Sequence, residues 1–285
     1  MSAERGQAAI AADAAVDPAA QLGPFCVIGP RARVLPGARL GAGCVLGADV
    51  RVGPDAALGP YTVAEAGARV EAGARLAPRV VIYPGVTVGA GAVIGAGAVL
   101  GRPPLAAAAS TAPARTEWPP LSLGPDCVVG AGAVVYAGTE LAAGVFLGDG
   151  ALVRENCRVG ERSVIGSGCL VENNVNIGQD VKIQSGAYIT AYMTVEDEVF
   201  IAPMVVSTND NYMGRTEKRF ARIKGATVRR RARVGGGAVL LPGVEVKEET
   251  FVAAGAVVTK DTEAAQVMLG SPARVWRAVP RDELL

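Results

Sequence analysis

Aliphatic residues recur every six positions along most of this chain. Leu22, Ile28, Val34, Leu40, Leu46 and Val52 open a series that runs to Leu100, with only Ala64 weak in it. Two positions before each stands a small or β-branched residue, as at Cys26, Ala32, Ala38 and Cys44. The series resumes at Leu123, reaches Ile201 in register, and returns from Val228 to Val258. A six-residue period with glycine and proline throughout excludes amphipathic helices, whose period is 3.6. Glycine is not at every third position, which excludes collagen. The pattern predicts an all-β fold, a parallel β-helix in which each hexad is one short strand plus a turn and three hexads close a triangular coil. The aliphatic side chain points into a narrow prism and stacks on its equivalent in the next coil. Glycine suits corners that need positive φ or close approach. Pro36, Pro54, Pro60 and Pro84 fall where no ladder donor is required.

The pattern breaks twice. Residues 102–122 carry two proline pairs and Trp118, and residues 207–227 form a polar, basic, asparagine-rich segment. Long loops in a compact repeat body are commonly functional. The expected organisation is an N-terminal segment 1–15, one continuous β-helix domain 16–265 with the two loops inserted, and a tail 266–285. Trp118 needs a hydrophobic seat, either on its own coil or on a neighbouring subunit. Asparagines in the polar hexads after Val153 are read first as turn formers, because Asn tolerates left-handed φ.

Composition narrows the chemistry. The 285 residues carry a net charge of +1, so no global field points to nucleic acid or membrane. Half the residues are hydrophobic but only 5% are aromatic, as identical small layers require. The five cysteines fall in small-residue slots without a CxxC pair, as buried apolar side chains in a reducing compartment would. No signal-peptide pattern or uninterrupted apolar span is expected, so the localisation expected is cytoplasmic. The chain has no histidine, which removes the usual proton carrier and the usual imidazole zinc site, and no metal is expected.

The ladders resemble the hexapeptide-repeat acyltransferases, which implies left-handed β-helix trimers. The segment VKIQSGAYITAYMTVEDEVFIAPMVVSTND, the basic loop after it, then GGGAVLLPGV, VAAGAVVTKD and GSPARV, resemble the nucleotide-linked amino-sugar N-acetyltransferases, most closely the dTDP-3-amino-3,6-dideoxyhexose 3-N-acetyltransferase type. The resemblance implies transfer of an acetyl or other short acyl group from acyl-CoA to the amine of a nucleotide-linked amino sugar, in a homotrimer. It puts Asn209 at the sugar amine, and Gly236, Ala238, Ala254 and Gly255 along the coenzyme A groove. Lys260 and Arg274 correspond to basic residues that meet the coenzyme's phosphates. The Ala-rich first run of coils is long for this subgroup.

Residue chemistry gives the same reaction a rationale. The amine of an electron-poor sugar carbon has a pKa near that of an α-amino group, about 8, so part of it is already nucleophilic at neutral pH. Asn209 can accept from it and aim the lone pair. Glu196 and Asp210 are the nearest carboxylates in sequence and complete the catalytic candidates. Tyr188, Tyr212, Arg215 and Arg219 are the substrate-binding candidates. Arginines and lysines from Arg215 to Arg233, against the single acid Glu217, form either a phosphate-binding cluster or a solvated surface. Two other readings stay open: a non-catalytic β-helix scaffold, and an O-acyltransferase, for which the chain offers no obvious base.

Overall fold

A hexad can close only if its two strand residues are divided between core and solvent, and the hexad strands from Val27–Ile28 to Val257–Val258 do this. The structure, a computed structural model, describes residues 7–105 and 117–284. The central part of the 102–122 interruption and residues 1–6 lie outside the described residues. The chain folds as two compact units, Met1–Gly144 and Val145–Leu285, each a left-handed parallel β-helix of hexapeptide repeats.

In the first unit, Val27–Ile28 is followed by Arg33–Val34 and Arg39–Leu40, and the next coil repeats the pattern eighteen residues on. Ile28, Val34 and Leu40 are buried, while Val27, Arg33 and Arg39 face outward. Burying one Val, Leu or Ile side chain contributes about 1.5–3 kcal/mol, so a column of them in each face dominates the fold's stability. The first rung begins already at Ala9–Ile10, paired with Val27–Ile28, inside the stretch expected as a leading segment. Two kinds of glycine are present. Gly23 has no room for a Cβ, which would stand 2.6 Å from the Ala42 amide nitrogen of the next coil. Gly97 has open space but φ +68, which a side chain would strain. The first interruption falls between the strands Val99–Arg102 and Ser122–Leu123. Trp118 is half-buried and borders a cleft with Tyr83, Pro84 and Ala137 of its own unit.

The second unit has three faces. The first carries Leu152–Val153, Leu170–Val171, Tyr188–Ile189, Val206–Ser207, Val239–Leu240 and Val257–Val258. The second carries Arg158–Val159, Asn176–Ile177, Thr194–Val195, Thr227–Val228 and Glu245–Val246. The third runs from Phe146–Leu147 to Phe251–Val252. It does not stop there. Gln266–Gly270 adds a parallel strand beside Phe251–Val252 and turns back antiparallel through Ala273–Ala278, so residues expected as a tail form a hairpin that extends this face. Asn156 and Asn174 stack in successive turns at φ 57 and 56, as turn-forming asparagines should.

All five cysteines are free and buried, and each thiol donates to a carbonyl in the fold. Burial pushes Cys44 to about 11 and Cys157 to about 12, so neither is a thiolate nucleophile near neutral pH. Among the described residues no helix is long and apolar enough to cross a membrane.

Candidate active site

The 207–227 segment leaves the second unit at the edge between its first and second faces. Ser207 occupies an inward position where the neighbouring rungs carry Ile189 and Leu240. Its hydroxyl donates to the Tyr188 carbonyl at 3.0 Å and accepts the Thr190 N–H at 2.8 Å, so the fully buried polar atom is satisfied. The chain then departs from the ladder and returns when the Lys224 N–H donates to the Asn209 carbonyl at 3.0 Å. Gly225 is needed at the return, because a Cβ there would stand 2.5 Å from the Met193 amide nitrogen.

Asn209 therefore sits at the mouth of the loop, partly exposed. Its side-chain Nδ2 donates to the Ala191 carbonyl at 3.5 Å, which leaves Oδ1 as an acceptor with no donor among the described residues. Asp210 plays a different part from the one expected. Its Oδ1 accepts the Tyr212 N–H at 2.8 Å and its Oδ2 the Gly214 N–H at 2.9 Å, with Arg219 Nη1 3.5 Å away. The Gly214 and Tyr212 amides, helped by Arg219, hold its carboxyl below the usual carboxylate range. Asp210 is the loop's organiser, and Arg219 is its strut rather than a free cation. Tyr212 contributes its backbone to this turn, and Arg215 remains exposed with no ion pair among the described residues.

Glu196 is not brought to Asn209. It follows the strand Thr194–Val195 and so lies on the edge between the second and third faces, away from the first-face edge that carries Asn209. There it accepts Arg229 Nη1 at 2.7 Å and the Arg230 N–H at 3.0 Å. The same edge neutralises most of the basic run. Arg229 also pairs with Glu245 at 2.7 Å, Arg230 and Arg231 both with Glu198, and Arg233 with Glu283 at 3.1 Å. Arg230 and Arg231 hold Glu198 below its ordinary range, and Arg229 does the same to Glu245. Of the sequence's cationic cluster, Arg215, Lys218, Arg222 and Lys224 make no ion pair among the described residues.

A carboxylate that the sequence argument passed over lies on the correct edge. Glu172 follows the strand Leu170–Val171 and accepts the Tyr188 hydroxyl at 3.5 Å, while Arg154 reaches Glu172 at 3.3 Å and Glu155 at 2.7 Å. Burial, then the Glu172 charge, push the Tyr188 phenol up, so it stays protonated and donates. The signal was available: Glu172 precedes Thr208, the residue before Asn209, by two periods of eighteen residues.

The expected coenzyme residues divide between two edges. Gly236 lies in the turn before Val239–Leu240, and Ala254 and Gly255 in the turn before Val257–Val258, all on the edge between the third and first faces. Ala254 and Gly255 are exposed, and the Gly255 N–H donates to the Gly236 carbonyl at 2.9 Å. Ala238 is fully buried, so its methyl group fills the core and only its backbone belongs to this edge. Lys260 is exposed past the strand Val257–Val258, beyond the opposite side of the first face. Arg274 is exposed on the terminal hairpin and donates to the Ala273 carbonyl at 2.8 Å. No group of metal-ligating side chains forms among the described residues.

The model described as bacterial transferase hexapeptide (six repeats) matches residues 67–102 and 156–191, and the hexapeptide repeat of succinyl-transferase matches 23–54 and 120–157. Both models describe the six-residue repeat, and each matches about a quarter of the chain. No curated protein matches it. Among solved structures it is similar to the N-acyltransferase AntD from Bacillus cereus, in complex with dTDP and coenzyme A, at 17% identity and TM-score 0.41 over 46% of this chain and 79% of that one. It is also similar to a maltose O-acetyltransferase from Clostridium difficile at 23% identity and TM-score 0.38, covering 43% of this chain and 70% of that one. A UDP-N-acetylglucosamine acyltransferase from Arabidopsis covers 94% of the chain and 74% of its own length, at 17% identity and TM-score 0.32.

Proposed function

We propose that this chain transfers a short acyl group from acyl-CoA to the amine of a nucleotide-linked amino sugar. The observation that carries the reading is Asn209: anchored by the Ala191 carbonyl, with Oδ1 open at the mouth of the one loop that interrupts the second unit. Oδ1 accepts an N–H of the substrate amine and aims its lone pair at the thioester carbon. The nucleophile needs no strong base, and orientation of this kind lowers the barrier by several kcal/mol. The amine attacks, the carbon–sulfur bond breaks, and the ammonium proton passes to the departing thiolate or to water. Arg215, Lys218 and Arg222 supply unpaired cations for the substrate's diphosphate. The Gly236 and Ala254 N–H groups, with no acceptor among the described residues, are available to the coenzyme's extended arm or to the oxyanion.

The two halves of this site flank the first face, one on each side, so one copy cannot close it. The outward residues of that face are Leu152, Leu170, Tyr188, Val206, Val239 and Val257, a largely apolar strip that is half-buried except at the exposed Val206. A homotrimer with this face turned to its neighbours sets the Asn209 edge of one copy beside the glycine edge of the next. The proposed reaction is tested by incubating the protein with acetyl-CoA and a panel of dTDP- and UDP-amino sugars and following free thiol. Thiol release that falls about a hundredfold in Asn209→Ala, with an unchanged thermal midpoint, is the expected result. No release from any amino sugar, together with no coenzyme A binding by calorimetry, overturns the reading. Val206→Lys should shift the light-scattering mass below that of a trimer.

A further inference from the structure

In the first unit, the strands Arg33–Val34, Arg51–Val52 and Arg69–Val70 lie side by side, with Arg33 opposite Arg51 and Arg51 opposite Arg69. All three side chains face outward and are exposed. Successive rungs are about 4.8 Å apart, so three arginines stand in one line up the face. Like charges directly opposite across a ladder repel. Nevertheless none of the three makes an ion pair or a side-chain hydrogen bond among the described residues. Their absence of partners is not general to this fold. Arg31, beside them, binds Asp49 through two bonds of 2.8 and 2.7 Å, and Asp13 accepts the Arg31 N–H. Asp49 is thus paired with the Arg31 guanidinium, Asp13 meets the Arg31 backbone, and neither pairs with the ladder among the described residues. Together these residues line a shallow groove of about 600 Å³.

We infer that this groove binds a ligand carrying a chain of phosphates. A guanidinium presents a planar fork that matches a phosphate through two parallel bonds. Three forks in line reward an anion with charge repeated along one direction. A single phosphate meets one rung and leaves the others repelling. A neutral or cationic ligand gains nothing from any rung. The site lies in the first unit, and it stands whether or not the second unit transfers acyl groups. A free phosphate chain and a nucleotide's diphosphate share this chemistry.

The test is calorimetric titration of the full chain with inorganic tripolyphosphate, inorganic phosphate, inorganic diphosphate and ADP at low salt. Tripolyphosphate should bind, weaken steeply as salt rises, and bind at least about tenfold more tightly than inorganic phosphate. Arg51→Gln, at the middle rung, should weaken it about tenfold, and Arg33→Gln or Arg69→Gln by less. Arg39→Gln, on another face, should leave binding unchanged. ADP binding more tightly than inorganic diphosphate identifies a nucleotide, and equal binding identifies a bare phosphate chain. The inference is overturned by no binding of tripolyphosphate, equal binding by Arg51→Gln, a loss as large in Arg39→Gln, or a change of oligomeric state in Arg51→Gln that marks the ladder as a contact between copies. Preference for a single-stranded oligonucleotide over tripolyphosphate overturns it as well.

Discussion

Two stretches of this chain are rich in arginine, and they end in opposite electrostatic states. Arg229, Arg230 and Arg231 are consecutive and look like the stronger cationic site, yet Glu196, Glu198 and Glu245 absorb them. Arg33, Arg51 and Arg69 are eighteen residues apart and make no cluster in the sequence, yet they form an uncompensated line. The difference teaches that charge in a β-helix is read along the coil period as well as along the chain. A residue's electrostatic neighbours include those one coil away, as Arg31 and Asp49 are. After an insertion that offset changes, as for Arg229 and Glu196, which are 33 positions apart.

The comparison can be broken most forcefully by reversing one charge in the paired cluster. Glu198→Lys leaves Arg230 and Arg231 facing a third cation, and the midpoint of thermal unfolding should fall by about 5 °C. An unchanged midpoint would mean that the cluster is solvated and that the two stretches do not differ. The converse change relieves the open ladder. Arg51→Glu sets opposite charges across both rungs, and should raise the midpoint by about 1–3 °C while abolishing tripolyphosphate binding. A lower midpoint would show that the ladder is already compensated.

Acid sharpens the contrast further. Glu198 and Glu245 have folded values held below their ordinary 4.5. Their contribution is complete above that value and is lost as pH falls through the depressed folded values. Stability measured by denaturant should therefore decline below about pH 4.5, and a Glu198→Gln, Glu245→Gln double variant should lose part of that slope. Arg51→Gln removes no carboxylate, so it should keep the parent slope. The smallest effect concerns the cations left free in the 207–227 segment. Arg222→Gln should raise KM for a nucleotide sugar about three- to tenfold with little change in kcat. A fall in kcat alone would place Arg222 at the reacting atoms instead.

Much of the fold was legible without coordinates. The hexad dictates which residue enters the prism, so Ile28, Val34 and Leu40 were assigned to the core by spacing alone, and so were the small slots of the five cysteines. The break at residues 207–227 was legible from the period, whereas Asn209 within it was named by the resemblance alone. Glu196 was misplaced because nearness in sequence stood in for nearness in space, and the strand Thr194–Val195 carries it to another edge. Asp210 and Arg219 were read as free chemistry because sequence does not show that the loop's own amides and charges satisfy them. Ala238 looked like a groove residue because a small side chain serves a groove and a crowded core equally well.

The sequence by itself determined the repeat, the inward and outward alternation, and the positions of both interruptions, because all three follow from a period written into every hexad. Only the tertiary structure decided which carboxylate meets which arginine, which edge holds Asn209, and that residues after 265 return as a hairpin. Those outcomes depend on the offset between coils and on contacts made across it. An insertion resets that offset, and no local pattern records the new value.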